Sequence, residues 1–367
     1  MDFHTLDPSR FADHLGEWVR TPGPEADVVV SCRARLARNV QGYPFVSRLE
    51  PDGARELCAR MREILVRQRL DGETIWIEIP EASSITRLLL RERHLVSRDL
   101  APGGARRSIR PGRAVAFGER ETVSIMVNEE DHLRLQSMAA GFALESAWQR
   151  LRDVDVLFEG EVGYAVSPEL GYLTGCPTNV GTGLRASVML HLPALGLVRS
   201  ELEKVFTAAQ RTGLAVRGMY GEGSRAAGDY YQISNQVTLG RTEEQLFADL
   251  GALVPVIVKF ERDVRGILLR EQPASLAERV ERSATALRTS RSLATEVALL
   301  HLSNLRLGAC LGLSAGISPV EIDQVAIQIQ KGHLHVLSGV PATGELAEPT
   351  ERDRMRAAFL RRRFAAP

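Results

Sequence analysis

Lysine, cysteine and aromatic residues are scarce in this chain of 367 residues. Only three of its 46 basic residues are lysines, and the others are arginines, whose planar guanidinium groups bind phosphate in a bidentate way that lysine cannot reproduce. The four cysteines form no C-x-x-C pair, which argues against a structural zinc cluster and a secreted disulfide framework. No apolar run approaches the roughly 18 residues of a membrane span, and the N-terminus carries no signal-peptide pattern. These absences predict a cytoplasmic protein without a membrane partner.

Several familiar catalytic motifs are also absent. The chain has no G-x-x-x-x-G-K-[ST] phosphate loop, no H-E-x-x-H motif, no serine-centred nucleophile elbow and none of the lysine and H-R-D motifs of common protein kinases. The run 181–186 does match G-x-G-x-x-A, but the residues after it alternate like a strand instead of opening a helix. We therefore interpret it as a turn that approaches a ligand and places Arg185 at the start of a strand.

The remaining composition is typical of a globular protein, with 46 acidic and 46 basic residues and 44% apolar residues. Up to about residue 250, period-two strand patterns alternate with helical patterns, joined by short, turn-rich connections. After about residue 265 the spacing is helical and the strand signal almost disappears. The chain is therefore predicted to be α+β, with an antiparallel or mixed sheet flanked by helices over residues 1–260 and an all-helical C-terminal domain over residues 261–367.

Arginine and glutamate recur inside short strands and turns. In the strand candidate S-C-R-A-R, Arg33 and Arg35 point to the same face, and their repulsion is costly unless an anion lies between them. The alternative for this segment alone is an exposed face of an edge strand. In N-E-E-D-H-L-R, Arg134 projects from the sheet face opposite its neighbouring leucines, beside an acidic turn that by itself would suggest only a solvated loop.

Two further segments extend this pattern. The turn G-C-P-T-N-V-G-T-G-L-R carries Cys176 ahead of Arg185, and R-G-M-Y-G-E-G-S carries a glutamate between glycines that let a loop fold over a bound molecule. A mobile surface turn is the alternative for the second segment. One domain thus offers five arginines and two separated glutamates, namely Arg33, Arg35, Arg134, Arg185, Arg217, Glu130 and Glu222.

These motifs, taken in order, resemble those of the phosphagen kinases, the ATP:guanido phosphotransferases: S-x-R-x-R, N-E-E-D-H-L-R, C-P-[ST]-N-x-G-T, and R-G-x-x-G-E followed by Q-I-S-N-Q. Within that family the chain is similar to the bacterial protein-arginine kinases of the McsB type. Only 30 residues precede Ser31, a helical domain follows the catalytic part, and R-D-x-x-R-A occurs at residues 352–357. The resemblance implies a phosphagen kinase, glutamine synthetase-like catalytic domain and a helical dimerisation and regulatory domain.

The resemblance also implies a role for each site residue. Glu130 and Glu222 would grip the substrate guanidinium, with Cys176 beside it, and His94 would lie near the nucleotide base. For Cys176 we favour orientation of the guanidinium over covalent catalysis, because phosphoryl transfer needs no covalent step. The phosphates of ATP would be held by Arg33, Arg35, Arg134, Arg185 and Arg217.

A regulatory site and several partners are implied as well. Arg352, Asp353 and Arg356 would bind phosphoarginine allosterically, although a basic helix is more often a solvated or nucleic-acid-attracting surface. The cofactors would be ATP and Mg²⁺, with no dedicated protein site for the metal. The partners would be arginine-bearing protein substrates such as heat-shock repressors, an activating McsA-like adaptor that contains zinc, a Clp-type protease and a second copy of the chain, with no direct nucleic-acid partner.

We therefore predict an ATP-dependent kinase that phosphorylates arginine side chains of proteins and marks them for a Clp-type protease under stress. Positioning of the guanidinium in line with the γ-phosphorus would supply the larger part of the rate enhancement, and proton removal by carboxylates the smaller part. Two alternatives stay open from the sequence. One is the same fold acting on a free guanidino metabolite, and the other is a non-catalytic adaptor that binds phosphoarginine.

Overall fold

The structure, a computed structural model, describes residues 6–103, 109–218, 227–314 and 316–365. Its larger sheet is antiparallel throughout, with the strand order β2-β3-β4-β5-β1-β8-β10-β9, while β6 and β7 pair separately. This confirms the antiparallel option of the predicted sheet. The strands are β1 (Val29–Arg38), β2 (Thr74–Glu78), β3 (Ala114–Gly118), β4 (Val123–Val127), β5 (Leu133–Ala140), β6 (Val166–Ser167), β7 (Gly171–Tyr172), β8 (Leu184–His191), β9 (Leu214–Gly218) and β10 (Tyr230–Asn235).

Two strands of the large sheet, β2 and β3, were not predicted from the sequence, nor was the separate pair β6 and β7. Every residue of β3 is buried, so its sequence A-V-A-F-G is a continuous apolar run without the alternation that marks a half-exposed strand. Strand β2 is short and pairs with β3 alone among the described strands. Both therefore lacked the period-two signal on which the prediction depended.

The helices surround this sheet and continue beyond it. Among the described residues, none of them combines the length and the hydropathy that a bilayer-crossing helix requires. They are α1 (Pro8–Asp13), α2 (Glu17–Arg20), α3 (Pro51–Val66), α4 (Ser84–Glu92), α5 (Leu144–Val162), α6 (Pro193–Leu197), α7 (Arg199–Arg211), α8 (Glu243–Glu271), α9 (Pro273–Thr289), α10 (Thr295–Cys310), α11 (Pro319–Gln328), α12 (Lys331–Leu337) and α13 (Pro349–Arg363).

One face of the large sheet is apolar and forms the main core. Ala34 and Leu36 of β1 are fully buried there, in a cluster with Leu57 of α3 and Phe158 of α5. A second cluster joins β8 to α7 and α8. Burial of each large side chain contributes about 1.5–3 kcal/mol relative to exposure, so the apolar alternation holds the strands in one register. The opposite face carries polar side chains along β1, β5 and β8, whereas at β3 and β4 it carries Phe117 and Met126, which pack with α4 in a third apolar cluster.

The C-terminal region is helical, as predicted. Helix α8 begins at a capping box made by Thr242 and Gln245 and runs for 29 residues, so the proposed boundary between residues 260 and 261 falls inside it. The helical spacing predicted after about residue 265 corresponds to the end of α8 and to α9–α13. Helices α9, α10, α11 and α13 contribute to a separate core that includes Leu287, Leu302 and Leu360.

Two buried polar contacts join this helical region to the sheet. Arg306 of α10 is fully buried and donates to the carboxylate of Asp323 on α11 and to the backbone carbonyls of residues 26 and 27, ahead of β1. Glu92, at the end of α4, accepts from the backbone N–H groups of residues 332 and 333 and bonds the His333 ring. Buried polar groups have few alternative partners, so these contacts hold α10 against the segment ahead of β1 and α12 against α4.

Candidate active site

The register of the large sheet places the predicted arginines on one face. Arg35 of β1 lies opposite Arg185 of β8, and on the other side opposite residue 136 of β5, which shares its face with Arg134. Residue 232 of β10 lies between residue 189 of β8 and Arg217 of β9, which continues the same face across the sheet. Because partners in antiparallel strands point to one side, the five arginines, including Arg33, share the polar face.

These arginines repel one another. Burial, and then the charge of Arg134, lowers the pKa of Arg33 to about 10. The pKa of Arg35 is lowered first by the charge of Arg33 and then by burial, and that of Arg185 is lowered by burial and by Arg217. The buried Nε of Arg35 has no hydrogen-bond partner among the described residues. Such a cluster is stabilised by a polyanion placed between its members.

The acidic turn after β4 supplies both a support for these cations and an exposed carboxylate. Glu129, whose side chain is fully buried, accepts from Arg134 Nη1 at 2.7 Å and from Ser97 Oγ at 2.5 Å. Glu130 accepts from Arg134 Nη2 at 2.9 Å, but its side chain stays 44% exposed. Glu129 therefore positions Arg134, whereas Glu130 faces the open side of the site.

A second buried acid holds the acidic turn against the turn that carries Cys176. Asp131 Oδ1 accepts from Asn39 Nδ2 at 2.7 Å and from the backbone N–H of Gly175 at 2.6 Å. Burial raises the pKa of Asp131, and these donors oppose the shift. A Cβ at Gly175 would lie 2.7 Å from the carbonyl oxygen of Glu130, so only glycine permits this approach. Asp131, Asn39 and Glu129 were not predicted as site residues, although all three lie in or near the N-E-E-D-H-L-R and S-C-R-A-R motifs.

The turn 175–183 orients Arg185. Arg185 Nε donates to Asn179 Oδ1 at 3.0 Å, and its Nη2 donates to Thr178 Oγ1 at 3.0 Å. Cys176 Sγ lies 3.1 Å from the same Thr178 hydroxyl. The G-x-G-x-x-A run opens strand β8 and no helix, which confirms its interpretation as a turn.

A small cavity of about 140 Å³ brings the predicted residues together. Its lining includes cations on the sheet face, the exposed carboxylate and the thiol, namely Arg35, Arg134, Arg185, Glu130 and Cys176. Segments almost a hundred residues apart in the chain thus converge on one space. No group of three or more His, Cys, Asp and Glu side chains in the described ranges is arranged to hold a metal ion.

Four of the predicted catalytic and ATP-binding residues do not line this cavity or fall outside what the structure describes. Arg217 is exposed at the far strand β9. Glu222 falls in 219–226, outside the described residues. His94 lies on a neighbouring cavity with Arg33, and burial, followed by the charge of Arg33, lowers its pKa to about 4, so its ring is neutral at neutral pH.

The predicted regulatory residues lie on α13. Arg356 is buried, and it donates to the carbonyl oxygens of residues 329 and 293 and to Asp353 Oδ1 at 2.7 Å. Arg352 and Asp353 are partly exposed, and Arg352 donates to the carbonyl oxygen of residue 347. Arg356 is therefore already engaged by groups of the protein itself, whereas Arg352 and Asp353 are more accessible.

Comparisons with known proteins identify the family. Residues 57–264 match the C-terminal catalytic domain of the ATP:guanido phosphotransferases. The chain belongs to the ATP:guanido phosphotransferase family. Residues 273–367 of this phosphotransferase match the C-terminal domain of the protein-arginine kinase McsB. The predicted family membership is thereby confirmed, and ATP is the phosphoryl donor that this family uses.

The relatives of this phosphotransferase extend along nearly its whole length. It is 40% identical over 351 residues to the Protein-arginine kinase of Halothermothrix orenii, covering 96% of this chain and 97% of that protein. It is 38% identical to the Protein-arginine kinase of Bacillus subtilis, covering 96% and 94%. A crystal structure of lombricine kinase is similar with a TM-score of 0.58 and 26% identity over 70% of this chain and 71% of that one. A taurocyamine kinase from Schistosoma mansoni, at 24% identity and a TM-score of 0.57, shares the fold over 78% of this chain and 42% of its own.

Proposed function

We propose that this phosphotransferase transfers the γ-phosphoryl group of ATP to the guanidinium of arginine side chains in proteins. The observation that carries the proposal is the repelling set of arginines on one sheet face, which meets the exposed carboxylate of Glu130 across a small cavity. Relatives of similar length are named protein-arginine kinases, which favours a protein substrate over a free guanidino metabolite.

The cationic face fits the triphosphate of ATP. Arg35 offers an Nε–H donor that lacks a partner among the described residues, and Arg33 and Arg185 flank it. Bidentate guanidinium contacts would hold the phosphates and stabilise the charge on the equatorial oxygens of the transferred group. When bound with the nucleotide beside Arg33, Arg35 and Arg185, Mg²⁺ would supply neutralisation of part of the phosphate charge. We expect it to arrive with the nucleotide, because Mg²⁺ is commonly held by substrate phosphates and waters.

The carboxylates would prepare the acceptor. An arginine side chain is fully protonated near neutral pH and its lone pairs are delocalised, so it is a poor nucleophile. Glu130 would bind the guanidinium edge, concentrate positive charge on the non-reacting nitrogens and aim the attacking nitrogen at phosphorus. As the N–P bond forms and the bond to the ADP oxygen breaks, the released proton would pass to Glu130 or to Glu222. Cys176 would help to orient the guanidinium.

The test is replacement of Glu130 by glutamine. We expect ATP binding to stay near wild type and transfer to an unfolded arginine-rich protein to fall by about 10²–10⁴-fold, because the variant cannot accept the proton. Acid-labile phosphate on arginine, mapped by mass spectrometry, is the readout. Glu203→Gln, at an exposed position of α7, is the control. Transfer near wild-type levels in Glu130→Gln would refute the mechanism, and phosphate on free arginine alone would refute a protein substrate.

We further propose a cellular setting that accords with this activity. The four cysteines are free, which suits a reducing cytoplasm. The helical C-terminal region would support a homodimer, and Arg352 with Asp353 would bind phosphoarginine so that product regulates activity. An McsA-like adaptor would activate the enzyme, and a Clp-type protease would degrade proteins that carry the mark, heat-shock repressors among them.

A further inference from the structure

A cavity of about 250 Å³ adjoins the acidic turn that carries Glu130. Asn128, the residue after β4, lines it, and so does Arg113. Arg113 Nη2 donates to the carbonyl oxygen of Glu129 at 3.4 Å, and that oxygen belongs to the peptide bond between Glu129 and Glu130. The linings of this cavity and of the 140 Å³ cavity share no residue among those that the structure describes. The new cavity is therefore a separate space beside the same turn.

Two segments form the walls of this cavity. One is residues 46–50 with the first turn of α3, and the other is residues 110–113, which lead into β3. The first segment is held beside the acidic turn, because His132 Nε2 donates to the carbonyl oxygen of Pro44 at 2.9 Å and the Tyr43 ring lies edge-on to the His132 ring. The cavity and the acidic turn are thus held in a fixed relation to each other.

The cavity carries an excess of positive charge. Arg48, Arg110 and Arg113 line it, and Glu50 is the single acid among the described residues of its lining. Arg48 and Arg110 are exposed, and Arg110 Nη1 donates to the carbonyl oxygen of Val46 at 3.3 Å. Burial, and then the charge of Arg110, lowers the pKa of Arg113. An anion placed among these cations would relieve their repulsion.

The cavity also lies at the beginning of α3. This helix has 16 residues and starts at Pro51, and its N-cap residue Glu50 makes no side-chain hydrogen bond to it. The first N–H groups of a helix have no partner within the helix, and this end carries partial positive charge. Glu50, Pro51 and Ala54 all line the cavity. An anion there would therefore meet the helix end as well as the arginine side chains.

Two buried atoms of the lining residues lack hydrogen-bond partners within the described part of the chain. They are the Nε–H donor of Arg113 and the Oδ1 acceptor of Asn128. Asn128 is only 2% exposed, and its Nδ2 donates to the carbonyl oxygens of residues 54 and 112, which fixes the orientation of the amide. A main-chain peptide unit offers one C=O acceptor and one N–H donor, so it complements this pair. The cavity therefore suits a polypeptide segment that carries a negative charge.

We propose that this cavity binds an acidic side chain of the protein substrate, close in sequence to the arginine that is phosphorylated. The carboxylate would lie between Arg48 and Arg110 at the start of α3, and the main chain of the substrate would pass Arg113 and Asn128. The inference rests on the proposed function and deepens it, because it names a feature by which the enzyme selects among arginines.

The place of the cavity predicts the spacing between the acid and the target arginine. Arg113 lies 3.4 Å from the Glu129 carbonyl oxygen, and one Cα–Cα step and one glutamate side chain lead from there to the Glu130 carboxylate, a separation on the order of 10 Å. An extended chain spans at most about 3.3–3.6 Å per residue, which corresponds to about three residues. The contact would exist before and during transfer alike, so it should lower the KM and leave kcat unaffected.

The first test uses peptides that contain one arginine and a glutamate at the third position before or after it, each matched by a peptide with glutamine there. For the wild type we expect the KM of at least one glutamate peptide to be about 3- to 10-fold lower, the effect of a charge-assisted contact at a partly exposed site. Acid-labile phosphate on arginine is the readout. The double variant Arg48→Gln/Arg110→Gln should lose this difference. Arg67→Gln, exposed at the other end of α3, is the matched control and should keep it.

The second test reverses the charge of the cavity. Arg110→Glu should shift the preference to a peptide with lysine in place of the glutamate, a change that a merely structural role of Arg110 would not produce. Thermal unfolding confirms that the variant is folded. The preference of the wild type for the glutamate peptide should also shrink as the salt concentration rises, because the contact is electrostatic and partly exposed.

Peptide binding, measured by titration calorimetry, separates this inference from the proposed function. Equal KM and equal affinity of the wild type for the glutamate and glutamine peptides would overturn the inference, and so would a preference that persists in Arg48→Gln/Arg110→Gln. Wild-type protein that prefers to bind the glutamate peptide but phosphorylates none of the peptides would refute the proposed function and not this assignment.

Discussion

Arginine occupies two contrasting environments in this protein. At the junction between the sheet and the C-terminal helices, Arg306 is completely buried, and all three of its nitrogens donate hydrogen bonds. Burial is the largest influence and opposes its charge, but Asp323, Tyr230 and Cys310 together raise its pKa. On the polar face of the sheet, Arg35 has a buried Nε without a partner among the described residues, and Arg33 lowers its pKa.

The presence or absence of partners distinguishes these two kinds of arginine without any reference to sequence motifs. A charge that is buried and fully paired cannot lose its partner without a large cost in stability. A charge held among like charges destabilises the empty protein, and it is retained because a ligand compensates it. The two kinds of arginine should therefore respond in opposite ways to the same substitution.

The largest effect on stability is expected for Arg306→Met. The substitution leaves the Asp323 carboxylate buried without its counter-ion, so we expect the free energy of unfolding to fall by about 3–5 kcal/mol. Urea denaturation followed by circular dichroism measures this. Combining it with Asp323→Leu should recover part of the loss, because an apolar pair replaces an ionic one. A loss below about 1 kcal/mol would show that the junction does not depend on this pair.

Arg35→Met should separate activity from stability. We expect phosphoryl transfer to fall by about 10²–10³-fold, the usual effect of removing one transition-state donor. The free energy of unfolding should stay equal or rise, because repulsion from Arg33 disappears. Parallel assays of transfer and urea denaturation test both statements, with the exposed Arg211→Met as control. Destabilisation comparable to that of Arg306→Met would remove the distinction between the two environments.

The smallest effect concerns pH. His94 has its pKa lowered from 6.5 to about 4 on folding, by burial and by Arg33. Between these values the unfolded chain binds the proton more readily, so this contribution to stability is present above pH 6.5 and is lost as the pH falls towards 4. We expect His94→Gln to show a shallower decrease in unfolding free energy over that window. Identical pH profiles for the variant and the wild type would show that His94 does not titrate in this way.

Much of the site could be predicted from local patterns. The period-two spacing of S-C-R-A-R placed Arg33 and Arg35 on one face, and the alternation around Arg134 placed it opposite its leucines, as the sheet register shows. A strand after Gly183 was predicted although the G-x-G-x-x-A match would suggest a helix at that position. Side-chain direction in a strand follows from backbone geometry alone, and for this reason these predictions needed no tertiary information.

The residues that support the site could not be predicted from such patterns. Asp131 is one acid among three in a turn, and only the approach of Gly175 and Asn39 reveals that it is buried and structural. In the sequence Trp18 is indistinguishable from an ordinary core residue. Only the packing of α2 and α11 around the cavity beside Arg33 shows that its indole N–H has no partner among the described residues. Glu222 lies outside the described residues, so its proposed role stays a prediction.

By itself, the sequence determined the α+β class, the helical C-terminal region, the family and the identity of the cations, because each is written in local periodicity or in short motifs. Only the tertiary structure decided which arginines are paired and which repel one another. It also decided that helices from both ends of the chain, α2 and α11, line the cavity beside Arg33. The physical reason is that pairing and burial depend on neighbours distant in sequence. Arg306 and Arg35 carry the same side chain, and only their surroundings make one a paired structural ion and the other a cation held among like charges.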